Sequence, residues 1–331
     1  MSDAALLAEV WRGDVCEVLV RGHVAVVDAD NRLLAWSGDP DARTTLRSTV
    51  KPLQALPFVD GGAADALGAT VEEVAVACAS HSGEPRHVAA VRRLLARAGL
   101  DESALSCGPQ WPYSEEASRA LVAAGETAGR VHNNCSGKHA AMLCACVQAG
   151  WPVEEYSNYD HPLQRDIRRR MSDVAGIRLA DTPHGVDGCG LPTHGVTLRY
   201  LARMFAAGSA TVPGFQRCQE AMAAEPFMVG GTGRFDTALL SWAGSRLTAK
   251  SGGAAVWAAV LRDGGPGVAL KLEGGVGSHV APVAMAVLRE LGALPRSTPP
   301  DELREHADGL LRNWAGAVVG ATHVHVRLER A

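Results

Sequence analysis

Apolar residues recur at helical spacing over 84–98, ahead of Gly99, and again over 140–149 and 161–175, so the pattern predicts helices there. Partly alternating stretches at 16–27 and 32–37 predict two strands, joined by the turn chemistry of Asp28-Ala29-Asp30-Asn31. The apolar run 53–59 predicts a helix ended by Gly61-Gly62, and Thr70-Val71-Glu72-Glu73 is a capping-box signature that opens a helix through Cys78. Residues 107–113 read as a loop and 115–124 as a short helix. Residues 182–194 carry Pro183, Gly185, Gly188, Gly190 and Pro192 and read as a constrained loop around Cys189. Helices follow over 196–207, 214–224 and 234–243. Strands follow over 247–250, 254–261 and 267–272, with Asp263-Gly264-Gly265 as the turn between the last two. The chain closes with helices over 280–291 and 301–314 and a strand over 322–328.

The order is strands, a largely helical middle, strands, helices and a last strand. Short connections favour antiparallel pairing. This is an α+β arrangement read as one domain over 1–331: an antiparallel sheet from both chain ends, about residues 10–60 and 245–331, around a mostly helical insertion over about 61–244. Gly230-Gly231-Thr232-Gly233-Arg234 follows no clear strand and lacks a P-loop lysine, so it reads as a loop. Composition narrows the class. With 331 residues, 47% hydrophobic, 21% charged and a net charge of −4, the chain fits a soluble globular protein and not a nucleic-acid binder. No apolar run reaches transmembrane length, so no membrane partner is expected. Residues 1–9 lack a basic n-region and an apolar core. The eight cysteines are therefore expected to be reduced, in a cytoplasmic protein.

Candidate chemistry begins with lysine usage. The chain has only four lysines, Lys51, Lys138, Lys250 and Lys271, and otherwise uses arginine. Lysine can lose its proton in a protein and arginine cannot. Ser48 and Lys51 form S-x-x-K, which in a helix would share a face near an N-terminus. A serine hydroxyl needs an adjacent base, and a neutral lysine can serve. Ser80-His81-Ser82 and Lys250-Ser251-Gly252 follow in the chain order of the S-x-x-K, S-D-N and K-T-G set of class A β-lactamases and penicillin-binding proteins. Taken singly, Ser48 also fits an N-cap with Lys51 solvated, and Lys250 an exposed sheet-edge lysine. Cys135 and Cys189, near Lys138, His139 and Asp187, offer two thiolates with further donors. Their spacing matches no standard zinc-finger pattern. Cys144 and Cys146, and also Cys16, Cys78 and Cys218, read as packing residues; Cys107 stays undecided. His323 and His325 alternate on one strand face and read as surface or core residues.

Four motifs together carry a resemblance: Arg-Ser-Thr-Val-Lys-Pro-Leu-Gln at 47–54, Cys-Ala-Ser-His-Ser-Gly-Glu at 78–84, His-Asn-Asn-Cys-Ser-Gly-Lys-His at 132–139 and Asp-Gly-Cys-Gly-Leu-Pro at 187–192. Over nearly its full length the chain resembles the Rhizobium etli-type L-asparaginases, the asparaginase II or class 3 group. The resemblance implies a serine β-lactamase-like, penicillin-binding-protein-like fold, a homodimer, and hydrolysis of L-asparagine to L-aspartate and ammonia. It implies two Ser/Lys pairs, Ser48 with Lys51 and Ser80 with Lys250. It also implies a Zn²⁺ on Cys135, Lys138 and Cys189, with His139 and Asp187 near substrate or metal; Asn134, in the third motif, is a further candidate for substrate binding, and Arg47 reads either as a carboxylate binder or as a surface charge. In one place the chain departs from the family: Ala254-Ala255 stand where an acidic residue is expected after the K-x-G element. Two alternatives stay open: a β-lactamase-like hydrolase of another amide, and a zinc-binding homologue without catalysis.

Overall fold

The computed structural model describes residues 3–262 and 264–331. Asp263, part of one turn expected above, lies outside the described residues, as do Met1 and Ser2. The strands are β1 (Ala5–Arg12), β2 (Val15–Val27), β3 (Leu33–Ser37), β4 (Arg43–Thr45), β5 (His184–Val186), β6 (Pro192–Thr197), β7 (Leu247–Gly252), β8 (Val256–Leu261), β9 (Gly267–Leu272), β10 (Leu311–Arg312), β11 (Val318–Val324) and β12 (Glu329–Arg330). The helices of the first half are α1 (Lys51–Gln54), α2 (Leu56–Val59), α3 (Ala63–Ala66), α4 (Val71–Ala77), α5 (Pro85–Arg97), α6 (Glu115–Ala123), α7 (Ser136–Ala149) and α8 (Pro162–Ala175). Those of the second half are α9 (Leu198–Thr211), α10 (Pro213–Ala224), α11 (Pro226–Val229), α12 (Phe235–Ala243), α13 (Val280–Glu290) and α14 (Asp301–Asp308). Among the described residues, no helix is long and apolar enough to cross a membrane.

The chain divides into two compact units. The sheet unit holds residues 1–49, 195–210 and 242–331, and the helical unit residues 50–194 and 211–241. Residues 50–60 thus belong with the helices, and 195–210, inside the expected helical middle, with the sheet.

In the sheet unit the strand order is β10-β11-β1-β2-β9-β8-β7, and β3 pairs with both β2 and β12. Every pairing is antiparallel. Strand β8, Val-Trp-Ala-Ala-Val-Leu, is a continuous apolar run, and Val256 to Val260 are buried on both faces. Each of the two buried valines contributes about 1.5–3 kcal/mol on burial, and each alanine less. Gly267 lets α9 press onto β9, since a Cβ there would lie 1.9 Å from the Ala202 carbonyl oxygen. Several expectations need correction here. Strand β1 was not foreseen. The expected strand over 254–261 starts at Val256, because Ala254 and Ala255 form the hairpin tip. The helix expected over 301–314 stops at Asp308, with Gly309 left-handed at φ 54°. The strand expected over 322–328 is β11, a few residues early, and β12 follows it to close the chain. The helix expected from 196 begins at Leu198, because β6 continues through Thr197. Cys16 lies on β2 but is only half-buried, so it is no core packing residue.

The helical unit is built around α7, whose residues Ser136 to Cys146 are all buried. Helix α7 packs against α2, α3, α4, α5 and α8. Its apolar face wraps most of the helix, as burial on all sides requires. The capping box of α4 forms as expected: Glu73 N–H donates to Thr70 Oγ1 at 3.3 Å and Thr70 N–H to Glu73 Oε2 at 2.8 Å. The buried Glu73 carboxylate also takes Arg93 Nε at 3.2 Å. One expected loop, 182–194, instead holds the hairpin of β5 and the first half of β6, with His184 opposite His194.

Candidate active site

In the helical unit Lys51 opens α1, with Pro52 in the first turn. The S-x-x-K segment is not one helix: residues Arg47–Val50 make a 3-10 turn and α1 follows. Lys51 has no exposed surface, and a buried ammonium is costly unless its N–H groups find acceptors. Its Nζ donates to Ala79 O at 2.5 Å, Ser80 Oγ at 2.9 Å and Asn134 O at 3.4 Å. Two of these partners are carbonyls and can only accept. The third is a hydroxyl, which can accept from an ammonium or give its proton to a neutral amine. The same geometry therefore suits both ends of a proton transfer between Ser80 and Lys51.

Ser80 follows α4, and its N–H is held by Val229 O at 3.0 Å. The next residue, His81, is fully buried. Gly83 N–H donates to His81 Nδ1 at 3.1 Å, so the ring proton sits on Nε2 and donates to Ser136 Oγ at 3.0 Å. Ser136 Oγ passes the chain on to Val131 O at 2.7 Å. Burial, then the nearby His87 and Lys51, hold His81 well below the usual imidazole range, so it stays neutral and ties the Ser80 loop to the start of α7.

Helix α7 begins against α4 at Gly137, where a Cβ would lie 2.3 Å from Val76 O. This close approach places Cys135 and Lys138 beside the β5–β6 hairpin tip. Lys138 Nζ donates to Cys189 Sγ at 3.3 Å, and all three residues are buried. The Cys135 thiol hydrogen-bonds to Cys189. That bond, with Lys138 and against burial, pulls Cys189 down to about 4. The same bond, and then burial, push Cys135 up to about 12. Burial disfavours the Lys138 charge, but Cys189, Cys135 and Asp187 outweigh it and raise its pKa. The tip that carries Cys189 is fixed by Asp187 N–H to Leu191 O and Gly190 N–H to Asp187 O, both 2.8 Å, with Gly190 left-handed at φ 88°. Cys107 completes the neighbourhood: burial, then Cys135 and Cys189, raise its thiol to about 12. Among the described residues there is no group of three or more His, Cys, Asp and Glu side chains able to hold a metal; the third donor in this trio is an amine.

His139 is fully buried one residue after Lys138. Its Nδ1 lies 2.7 Å from Tyr156 Oη and 3.3 Å from Ser106 Oγ. Burial, followed by the Lys138 charge, pulls it down to about 3, so the ring is neutral. Its Nε2 meets no protein hydrogen-bond partner, a buried loss worth about 1–3 kcal/mol. Asn134 is held by Gln110 Oε1 on its N–H at 3.3 Å and donates from Nδ2 to Tyr113 Oη at 3.4 Å.

In the sheet unit Lys250 sits on the edge strand β7 yet is completely buried, so the exposed-edge alternative fails. Its Nζ donates to Ser251 O at 2.8 Å. Cβ atoms at Gly252 and Gly253 would lie 3.0 Å from Thr49 Cγ2 and 2.7 Å from Arg47 Nη2, so these bare positions seat the segment that carries Arg47, Ser48 and Thr49. Arg47, Ala254 and Ala255 are left-handed, with φ of 48°, 56° and 53°. Each such non-glycine residue costs about 1–2 kcal/mol.

The family model for L-asparaginase II matches residues 8–324. The chain belongs to the L-asparaginase II family. It is, accordingly, an amidohydrolase acting on a small molecule. No curated protein matches the chain. Among solved structures it is similar to one from Bacteroides dorei DSM 17855, provisionally assigned as a beta-lactamase, with 14% identity and a TM-score of 0.42 over 81% of this chain and 93% of that one.

On this asparaginase II chain, Lys51, Ser80, Asn134, Cys135, Lys138, His139, Asp187 and Cys189 lie in the helical unit, and Arg47, Ser48 and Lys250 in the sheet unit. Lys51 is brought onto Ser80, and Lys138 onto Cys189 with Cys135 alongside. Sequence reasoning passed over Tyr156 and Ser106, which hold His139, and named His81 only as the middle of a motif. Nothing near Tyr156 distinguishes it, since 151–160 shows neither periodicity nor a motif.

Proposed function

We propose that this asparaginase II chain hydrolyses L-asparagine to L-aspartate and ammonia through a serine acyl-enzyme. The observation that supports a Ser/Lys mechanism, with either serine as nucleophile, is the buried Lys51 amine, whose Nζ lies 2.9 Å from Ser80 Oγ with two N–H groups committed to carbonyls. Ser48 attacks the side-chain amide carbon, and its proton passes to Lys51. The C–N bond breaks and the returned proton leaves with ammonia. Water then adds to the acyl carbon, the bond from that carbon to Ser48 Oγ breaks, and one proton of the water restores the Ser48 hydroxyl. Ser80 and Lys250 act as the second Ser/Lys pair and relay protons. Backbone N–H groups near Ser48 steady the developing oxyanion. Arg47, Asn134, His139 and Asp187 orient the amino-acid end of the substrate. A second reading makes Ser80 itself the acylated residue, and the same 2.9 Å bond favours it. The serine β-lactamase-like assignment of the fold belongs to this reading. It is supported by the antiparallel sheet from both chain ends around a helical insertion.

The same reading includes a zinc ion held by Cys135, Lys138 and Cys189. The donor set fits: two sulfurs, one already drawn to the thiolate, and one nitrogen, which leave a fourth position open. Bound zinc would supply a Lewis acid that orients the substrate's α-amino or carboxylate end, or a water. The protein is further proposed to work as a cytoplasmic homodimer, which light scattering on the eluted protein would check.

The test is ammonia release from L-asparagine, with L-glutamine as control, with and without added zinc. Mass spectrometry of quenched Ser48→Ala and Ser80→Ala proteins then locates the acyl adduct. Rapid, asparagine-selective release supports the reading, and the variant that loses the adduct names the nucleophile. Release from a different amide only would favour the β-lactamase-like alternative. Full zinc occupancy with no release from any amino-acid amide would leave a non-catalytic homologue.

A further inference from the structure

His139 and Tyr156 form a buried pair whose hydrogen-bond directions can be worked out. Tyr156 is 1% exposed, and its ring stands edge-on to His139 at 5.6 Å and 74°. Ser106 N–H donates to Tyr156 Oη at 2.9 Å, which fills one acceptor position of the phenol oxygen. The contact from Oη to His139 Nδ1 is 2.7 Å, short for a ring N–H donor and ordinary for a hydroxyl donor. A phenol O–H is also the stronger hydrogen-bond donor and an unprotonated imidazole nitrogen the stronger acceptor, so on this line the hydroxyl donates to Nδ1. A second hydroxyl, Ser106 Oγ, approaches the same nitrogen at 3.3 Å. Nδ1 therefore accepts, and the neutral ring carries its proton on Nε2. That nitrogen, on the opposite edge of a ring with no exposed surface, meets no protein partner.

We propose that Tyr156 is a positioning residue that locks His139 in its Nε2–H tautomer and so makes it a neutral hydrogen-bond donor to a carboxylate or carbonyl oxygen of the amide substrate. The substrate half of this statement rests on the amidohydrolase reading above; the tautomer half does not. His139 is then a binding group, with no part in moving protons. Phenylalanine at 156 keeps the packing and removes the hydroxyl. The ring is then free to place its proton on Nδ1, towards Ser106 Oγ, and Nε2 becomes an acceptor that repels the substrate oxygen.

The experiment combines nitrogen-15 NMR of the histidine rings with steady-state kinetics. His139 is picked out of the 12 histidines by the signal that His139→Gln removes. The wild type is expected to show an unprotonated Nδ1 and a protonated Nε2. Tyr156→Phe should shift the population towards Nδ1–H and raise KM for the amide about tenfold, with kcat changed less and the pH profile unmoved. His139→Gln, whose amide N–H reaches towards the Nε2 position, should keep a KM nearer the wild type than His139→Leu does. An Nδ1–H tautomer in the wild type overturns the inference, and so does a Tyr156→Phe protein with unchanged tautomer and KM. If that variant fails to fold, the wild-type spectrum still decides the tautomer and the two His139 variants decide the donor role. Absence of any amide hydrolysis by the wild type, beside the expected tautomer, overturns the substrate half and the amidohydrolase reading beneath it while leaving the positioning half intact.

Discussion

Lys51 and Lys250 are both completely buried, and the two units bury them in different ways. In the helical unit Lys51 reaches Ala79, Ser80 and Asn134, which come from two loops distant in the chain. Its pocket is assembled by packing, with α4 and α7 pressed together at Gly137. In the sheet unit Lys250 donates to the carbonyl of the very next residue, on a hairpin whose tip holds two left-handed alanines. The helical unit places its amine through long-range closure of packed helices, while in the sheet unit the lysine sits on a strand that leads into a hairpin tip under backbone strain. Long-range closure yields a rigid, multiply bonded amine near a hydroxyl. The strained hairpin yields a close backbone approach at Gly252 and Gly253, where Arg47 and Thr49 lie.

The sharpest way to break this contrast is to remove each amine. Lys51→Met should lower turnover of L-asparagine about a thousandfold or more, as loss of a general base does, while the circular dichroism spectrum stays native. Lys250→Met should cost about a hundredfold. A larger loss at Lys250 would reverse the assignment of the primary base. Acid should separate the units next. Burial, followed by His184 and Arg168, pulls His194 in the helical unit down to about 4. Because the folded pKa lies below the unfolded one, near 6.5, the unfolded chain binds the extra proton. The stabilisation is therefore whole above pH 6.5 and is lost as pH falls towards 4, by about 3 kcal/mol. Urea denaturation at pH 7 and pH 4.5 should show a loss to which His81 and His139 add, and His194→Gln should make it smaller.

Glycine substitutions sharpen the comparison further, with opposite signs in the two units. Gly137→Ala places a Cβ against the Val76 carbonyl and should destabilise by about 3 kcal/mol, read as a lower urea midpoint. Ala255→Gly relieves a left-handed alanine and should stabilise by about 1 kcal/mol, the smallest effect of the set. A loss of stability at Ala255→Gly would mean that the hairpin tip is not strained.

Much of the helical unit was legible because amphipathic spacing and caps act over one or two turns. The helix read over 84–98 is α5, that over 161–175 is α8, and the Thr70 box caps α4. The sheet was harder. Strand β1, missed in the sequence, pairs with β2 next to it and with β11 at the other end of the chain, where Glu9 faces His323. A strand's stability resides in its neighbours, and neighbours are not visible in a local pattern. The 301–314 helix was overextended because polar periodicity ran past Gly309, where the backbone turns left-handed.

For the site, scarcity of lysine and the flanking motifs singled out Ser48, Lys51, Ser80 and Lys250, and Cys135 and Cys189 stood out as thiols in glycine-flanked loops, while the pairing of the serines with lysines and the ligand set with Lys138 came from the family resemblance. Sequence also settled the α+β order and the asparaginase II family. Only the tertiary structure decided that Lys51 meets Ser80, that the Cys189 thiol is drawn to a thiolate beside Lys138, and that Tyr156 and Ser106 converge on His139. Spacing along a chain constrains contacts within a turn or two. Burial, pKa and tautomer depend on which distant groups close around an atom, and packing alone brings those groups together.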